Sequence, residues 1–158
     1  MAEETDLDLV RQHWAALHDQ NFSYQAIVQF HSRHKYLLMA HSPKDYQELG
    51  RHVAHMKDIR LDTFAQNYFC RLEKALSQPA TPGRHANVLQ HLAGYLRPKL
   101  DHQERQELER LIEDYRQGVH PLATPMQRLR EHFALHPDGY IASQVYLYPD
   151  IQPGETTA

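Results

Sequence analysis

A chain of 158 residues, 41% of them hydrophobic, is long enough to bury a core without help from disulfides or metal. Its single cysteine, Cys70, excludes an intramolecular disulfide and a cysteine-ligated zinc or iron–sulfur site. The formal net charge of −3 argues against a dedicated nucleic-acid binder, and the sequence has no apolar run of about 18 residues that would span a membrane.

The first half of the chain predicts four helices, because apolar residues recur at spacings of three and four and no segment alternates regularly. The first helix follows Thr5 or Asp6 as its N-cap, and the second covers about residues 23–41. Pro43 opens the third helix, and the fourth covers about residues 58–77. The residues expected to face inward are Leu7, Val10, Trp14, Leu17, Tyr46, Leu49, Val53, Met56, Leu61, Phe64, Ala65, Tyr68, Leu72, Ala75 and Leu76.

The second half follows the clearest break in the pattern, the proline- and glycine-containing residues 78–83. Helices are predicted over about residues 84–97, from Asp101 to Gly118 and from Pro121 onward, with a last short helix or extended piece through Tyr148. The residues expected to face inward are His85, Val88, Leu89, Leu92, Leu96, Leu108, Leu111, Ile112, Tyr115, Met126, Leu129 and Phe133. The sequence therefore predicts an all-α fold, a compact single-domain bundle of six to eight helices over residues 1–158, with frayed ends at 1–4 and 150–158.

Histidines cluster on the second predicted helix. At 100° per residue, His31, His34 and His41 fall within about an 80° arc that also holds Ile27 and Leu38. An unpaired imidazole against a core is costly, so these histidines belong either to a structural hydrogen-bond network or to the lining of a pocket. The candidate pocket residues are His31, His34, His41, His85 and His91.

The histidine pairs raise the question of a metal, since spacings such as His31/His34 and His52/His55 place two rings on one helix face. The sequence has neither an HExxH motif nor the Glu-x-x-His pairing of di-iron bundles. We therefore predict no metal site and no cofactor. A small enzyme or ligand-binding protein with a histidine-lined pocket, with or without a metal, stays open as an alternative function.

Charge is segregated along the chain. Residues 27–60 hold six Lys or Arg against three acidic residues, together with five histidines, and residues 84–99 hold three Lys or Arg and no acidic residue. One face can therefore be basic while the total charge is negative. The alternative is that each run of charges is only a solvated helix face.

A polar flank adjoins the core face of the helix predicted over residues 84–97. Arg84, Asn87, His91 and Tyr95 recur at i, i+3, i+7 and i+11, with Gly94 beside them. They supply a cation for phosphate, hydrogen-bonding groups and a stacking ring, which suits RNA; the alternative is a helix-packing glycine with a polar rim. The residues predicted to contact nucleic acid are Arg33, His34, Lys35, Tyr36, Arg51, Arg84, Asn87, His91, Tyr95 and Arg116.

Five stretches of the chain resemble the YbgA-like family, a bacterial domain of unknown function: residues 30–43, 46–53, 79–95, 112–125 and 140–149. Similar domains occur alone and as the C-terminal half of fusions with a TudS-type desulfidase domain that removes sulfur from thiouracil and 4-thiouridine. In those fusions the YbgA-like half is regarded as the part that helps to hold tRNA.

The resemblance implies an accessory module that binds RNA, with tRNA as the expected partner, and that has no desulfidase activity of its own; whether it catalyses another reaction stays open. From the composition we expect a cytoplasmic protein with no membrane partner. Cys70 alone cannot ligate the cluster that performs the sulfur chemistry, so desulfuration would need a separate iron–sulfur desulfidase. A protein–protein adaptor for such a desulfidase or for a repair enzyme is a further alternative.

Overall fold

A computed structural model describes residues 5–20 and 22–150 of the chain. Within these residues the regular structure is helical and contains no strand, which confirms the all-α prediction. None of the helices in this part of the chain is both long and apolar enough to cross a membrane. The α-helices are α1 (Asp6–Gln20), α2 (Tyr24–Arg33), α3 (Lys35–His41), α4 (Pro43–Ala54), α5 (Leu61–Leu76), α6 (Pro82–Leu96), α7 (His102–Arg116), α8 (Ala123–Leu135) and α9 (Gly139–Ala142), with short 3-10 turns at Met56–Asp58 and Arg97–Lys99.

The helix predicted over about residues 23–41 is interrupted at His34, which separates α2 from α3. The backbone N–H of His34 is shared between the carbonyl oxygens of Phe30, at 3.2 Å, and His31, at 3.3 Å. The His34 ring nitrogen Nδ1 lies 2.7 Å from the same Phe30 oxygen. Because the side chain shares this acceptor with the backbone, the helix is distorted at His34, whose φ of −102° and ψ of 7° lie outside the α-helical range.

Side-chain caps explain most of the helix starts. Ser42 accepts a hydrogen bond from the backbone N–H of Asp45, with Pro43 as the first residue of α4, as predicted. Asp101 and Glu104 form a reciprocal capping box at the start of α7. The predicted start at Pro121 is two residues early, because α8 begins at Ala123.

The helices fall into two compact units, one comprising the described residues up to Pro79 and the other those from Ala80. In the first unit, α5 packs against α1, α3 and α4, and in the second, α6 packs against α7 and α8. The boundary lies in the predicted break at residues 78–83. The prediction of one domain over residues 1–158 stays a prediction, and the predicted frayed ends lie outside the described residues except for Asp150, which is in a turn.

The burial pattern agrees with most of the predicted core. Fully buried residues of the first unit include Ile27, Phe64, Tyr68 and Leu72, and those of the second include Val88, Leu89, Leu92, Leu96 and Leu129. Several residues expected to face inward are only half-buried, namely Leu7, Leu17, Tyr46, Val53, Met56, Leu61, His85, Leu111, Tyr115 and Met126.

Candidate nucleic-acid interface

Helix α6 presents a polar side to solvent in the second unit. Thr81 caps the helix by accepting a hydrogen bond from the Arg84 backbone N–H at 3.2 Å, and Pro82 occupies its first turn. The buried residues Val88, Leu89, Leu92 and Leu96 fix the orientation of the helix. The adjoining positions Asn87, His91 and Tyr95 are exposed, and we refer to these three residues as the α6 flank.

Arg84 and Gly94, the residues predicted to accompany this flank, differ from the prediction in exposure and in packing. Arg84, one turn before Asn87, is half-buried rather than exposed. A methyl group added at Gly94 would lie 3.6 Å from Nη1 of Arg97, an ordinary van der Waals distance. Gly94 is therefore not required for close helix packing here, and the packing-glycine alternative loses its support.

Two tyrosine rings lie side by side at the C-terminal end of the α6 flank. The ring centroids of Tyr95 and Tyr140 are 6.5 Å apart with an angle of 36° between the planes. Their exposed fractions are 39% and 36%. Tyr140 belongs to α9, whose start is capped by the Asp138 carboxylate. Sequence reasoning missed Tyr140 as a site residue, since no local spacing relates two positions this far apart along the chain.

The charged groups near the α6 flank are of both signs. Helix α6 contains no acidic residue, and Lys99 is exposed just beyond its end. Arg97 is partly committed, since its Nη2 donates to Oε1 of Gln90 at 2.6 Å and its Nε lies 3.9 Å from a carboxylate oxygen of Glu109. A polyanion would therefore find few cations here, and the exposed aromatic rings are the more distinctive feature.

The nucleic-acid contacts predicted in the first unit are distributed between core and surface. Arg51 is exposed, whereas Arg33 and Lys35 are half-buried. Burial lowers the pKa of Arg33, and Nζ of Lys35 lies 5.2 Å from the ring centroid of Tyr36. His34 and Tyr36 are 1% and 2% exposed, so neither presents a ring face to solvent.

Arg116, the last predicted contact, is exposed on α7 and already engaged. Its Nε and Nη2 donate to the two carboxylate oxygens of Glu113 at 2.9 and 2.7 Å. This bidentate contact raises the pKa of Arg116 and, with a second hydrogen bond from Gln117, holds the pKa of Glu113 at about 2. Arg116 therefore lies on α7, paired with Glu113, and is not one of the α6 residues that form the flank.

His34 belongs to a hydrogen-bonded chain inside the first unit. Because the Phe30 carbonyl oxygen can only accept, Nδ1 of His34 must carry the proton in that contact. Burial lowers the pKa of His34 to about 3, so the ring is neutral and its Nε2 can only accept. Nδ1 of His13 lies 2.9 Å from that Nε2 and is therefore the donor. The contacts and the neutral state of His34 together place a proton on Nδ1 of both rings.

His31 is held in the same unit by tyrosines. Its Nδ1 lies 3.0 Å from the hydroxyl of Tyr68, and its ring stacks on Tyr46 at 5.6 Å with an interplanar angle of 10°. Burial, with a smaller contribution from the charge of Lys35, lowers the pKa of His31 to about 4. Burial also raises the pKa of Tyr68. This histidine is therefore a neutral core residue.

The other candidate pocket residues are placed separately. The ring nitrogens of His41 lie 2.7 Å from the Gln78 carbonyl oxygen and 2.7 Å from the Asp6 carboxylate. In the second unit, Nδ1 of His85 lies 2.7 Å from the hydroxyl of Tyr146, while His91 is exposed on the α6 flank. Across residues 5–20 and 22–150, no three His, Cys, Asp or Glu side chains are arranged to hold a metal ion. This geometry favours the structural network over the pocket.

Comparison with known proteins gives two findings. Residues 35–150 match the model of a family described as protein of unknown function (DUF1722). The chain is also 39% identical over 138 residues to the uncharacterized protein YbgA of Escherichia coli (strain K12), an alignment that covers 85% of this chain and 82% of that protein. No solved structure matches the chain significantly.

Proposed function

The chain belongs to the DUF1722 family, to which the YbgA-like resemblance of its sequence also points, and we propose that it is an accessory module that binds RNA through the α6 flank and Tyr140. The expected ligand is tRNA, and the expected setting is cytoplasmic removal of sulfur from tRNA thionucleosides. The observation that best supports RNA binding is the exposed Tyr95–Tyr140 pair beside His91 and Asn87, on a helix without acidic residues.

The residue types of this surface suit an unpaired loop of RNA better than a duplex. Loops are recognised by stacking of unstacked bases on aromatic rings and by hydrogen bonds to base edges. Tyr95 and Tyr140 offer the rings. Along α6, His91 lies one turn and Asn87 two turns before Tyr95, and both offer hydrogen-bond donors and acceptors. Stacking contributes about 1–3 kcal/mol per base, so this pair can dominate the free energy of binding.

Electrostatics supplies the smaller share of the proposed affinity. Residues 84–99 hold three cations, Arg84, Arg97 and Lys99, of which Arg97 is partly paired within the protein. With three phosphates neutralised at most, the slope of log K against log salt is about −2 to −3. The proposal thus predicts a modest salt dependence, consistent with a net charge of −3.

The proposal assigns no sulfur chemistry to this chain. Cys70 is the only cysteine, and one thiolate cannot ligate an iron–sulfur cluster. Desulfuration would therefore take place on a separate desulfidase, with this module holding the RNA.

Paired substitutions at Tyr95 test whether stacking holds the RNA. Tyr95→Leu keeps apolar bulk but removes the ring, and should weaken tRNA binding about 5- to 150-fold, the equivalent of about 1–3 kcal/mol. Tyr95→Phe keeps the ring and should bind nearly as well as the unsubstituted protein. Equal affinity of Tyr95→Leu and Tyr95→Phe, measured by filter binding, would refute a stacking role for Tyr95.

A second pair of variants separates a phosphate contact from general charge. Arg84→Ala should make the salt slope shallower by about one unit. The matched control is Arg110→Ala, which removes an exposed arginine from α7, two positions from the buried Leu108 and Ile112 and hence on the opposite side of that helix. If both variants change the slope equally, Arg84 has no specific role in the proposed interface.

A further inference from the structure

The first unit contains an open cavity of about 580 Å³ that lies away from the α6 flank in sequence and is not used by the proposed interface. Three aromatic rings contribute to its lining. Trp14 stacks on Phe69 at 5.2 Å with an interplanar angle of 15° and meets Phe22 edge-on at 5.9 Å. The cavity lies within the size range of pockets that hold small organic ligands, about 300–1,000 Å³.

A few polar groups accompany the rings at the cavity. The His18 ring lies 4.4 Å from the ring of Phe22. Gln66 and Arg60 are exposed and also line the cavity. The exposed carboxamide of Gln66 makes no hydrogen bond with any residue the structure describes, so its donor and its acceptor can exchange water for a ligand. An apolar interior with a few polar groups at its edge is the usual composition of a ligand site.

We propose that this cavity binds a single nucleobase. A flat heteroaromatic ring suits both parts of the lining, because it can pack against the aromatic side chains that border the cavity while its edge pairs with the Gln66 amide. Trp14 itself is already stacked on Tyr68 and Phe69, so it borders the cavity without offering an open ring face. Arg60 lies at the same cavity, where its Nη2 is 3.4 Å from a carboxylate oxygen of Asp62, which also lines the cavity. The charge of Arg60 is therefore already paired, and recognition depends on the base rather than on an attached phosphate.

This inference rests on the proposed function in one respect, namely that the base comes from an unstacked nucleotide of the bound RNA. The cavity is formed by residues of the first unit and the α6 flank by residues of the second, and each has its own readout. Nucleotide binding at the cavity is measured without RNA, and RNA binding at the α6 flank is measured through Tyr95.

Trp14 makes the test direct, since it is the only tryptophan in the chain and it lines the cavity. The probes are the four common nucleoside 5′-monophosphates, and ribose 5-phosphate serves as the control without a base. Each is titrated while Trp14 emission is excited at the long-wavelength edge, where nucleotides do not absorb. We expect a saturable change with the nucleotides and none with ribose 5-phosphate.

Two variants locate the binding. Phe69→Leu removes one ring and should weaken nucleotide binding about 5- to 150-fold. Gln66→Ala removes the exposed amide without disturbing the core and should reduce discrimination among the four bases. Asn67→Ala, an exposed neighbour that does not line the cavity, is the matched control and should behave like the unsubstituted protein.

Circular dichroism establishes that each variant is folded. If Phe69→Leu unfolds the protein, the comparison of Gln66→Ala with Asn67→Ala tests the proposal without it. A lack of base-dependent change in Trp14 emission overturns the proposal, as does a change that Gln66→Ala and Asn67→Ala affect equally. Saturable nucleotide binding in a protein that does not bind tRNA supports the cavity and refutes the RNA module. Binding of tRNA that depends on Tyr95, without a response to nucleotides, supports the RNA module and refutes the cavity as a nucleobase site.

Discussion

Acidification from about pH 8 to about pH 5 should destabilise the first unit by about 4 kcal/mol through His31 and His34. Their ordinary pKa is 6.5, and burial lowers it to about 4 for His31 and to about 3 for His34. Between these values and pH 6.5, the two histidines are therefore protonated in the unfolded chain and neutral in the folded chain. The contribution to stability is complete above pH 6.5 and is lost as the pH falls towards the two folded-state pKa values.

The magnitude follows from the difference between the two states. About 1.5 units below the unfolded pKa, each histidine is almost fully protonated in the unfolded chain and still neutral in the folded one, at a cost of about 1.36 kcal/mol per unit. Each ring thus accounts for about 2 kcal/mol.

Urea denaturation followed by Trp14 emission measures this effect in the unit that contains both histidines. His34→Asn retains an amide donor for the Phe30 carbonyl and removes one of the two titrating rings, so the loss between the two pH values should fall to about 2 kcal/mol. His55→Asn, at an exposed ring in the same unit, should keep the full loss. A stability that does not change with pH, or a His34→Asn protein with the full dependence, would refute the argument.

Two further predictions concern stability. Tyr68→Phe removes the hydroxyl beside Nδ1 of His31 in a fully buried position and should reduce the free energy of unfolding by about 1–3 kcal/mol, measured by urea denaturation; no change would mean that the contact is not formed. Asp101→Ala breaks the capping box of α7 and should cost about 1 kcal/mol, whereas Asp101→Asn should recover most of it; equal losses in a thermal melt would contradict the capping role.

The sequence was sufficient to predict the all-α fold and most helix starts, because these depend on local patterns. Pro43 at the start of α4 and the Asp101 cap of α7 are signals within one turn of the helix they begin. The break at His34 was missed, since it arises from a side chain that competes for the Phe30 carbonyl, which helical periodicity does not reveal.

Burial was the harder quantity to predict for polar and amphipathic residues. The helical arc placed His31 and His34 on or next to the apolar stripe without deciding between a core network and a pocket. The same stretch was also expected to supply His34 and Tyr36 to an RNA surface, and both are buried. The exposure of the α6 flank was predicted more accurately, because the apolar residues beside it on the helix determine which side faces solvent. The ring contact between Tyr95 and Tyr140 depends on tertiary packing and has no local signature.

The cavity residues illustrate the same limit. Trp14 was expected in the core from its spacing in α1. Its ring contacts are with Phe22, which lies between α1 and α2, and with Phe69 in α5, and the spacing within α1 predicts neither contact. Sequence spacing identifies residues that share a helix face and does not identify rings that meet across a fold.

Binding of bulk tRNA to the purified protein, with and without 4-thiouridine and across a salt series, tests the central claim most directly. The account predicts binding that weakens with salt at a slope no steeper than about −3 and that Tyr95→Leu weakens about 5- to 150-fold. A preference for thiolated tRNA would tie the module to the desulfidase pathway. Absence of binding even at low salt would contradict the claim that this chain is an RNA-binding module.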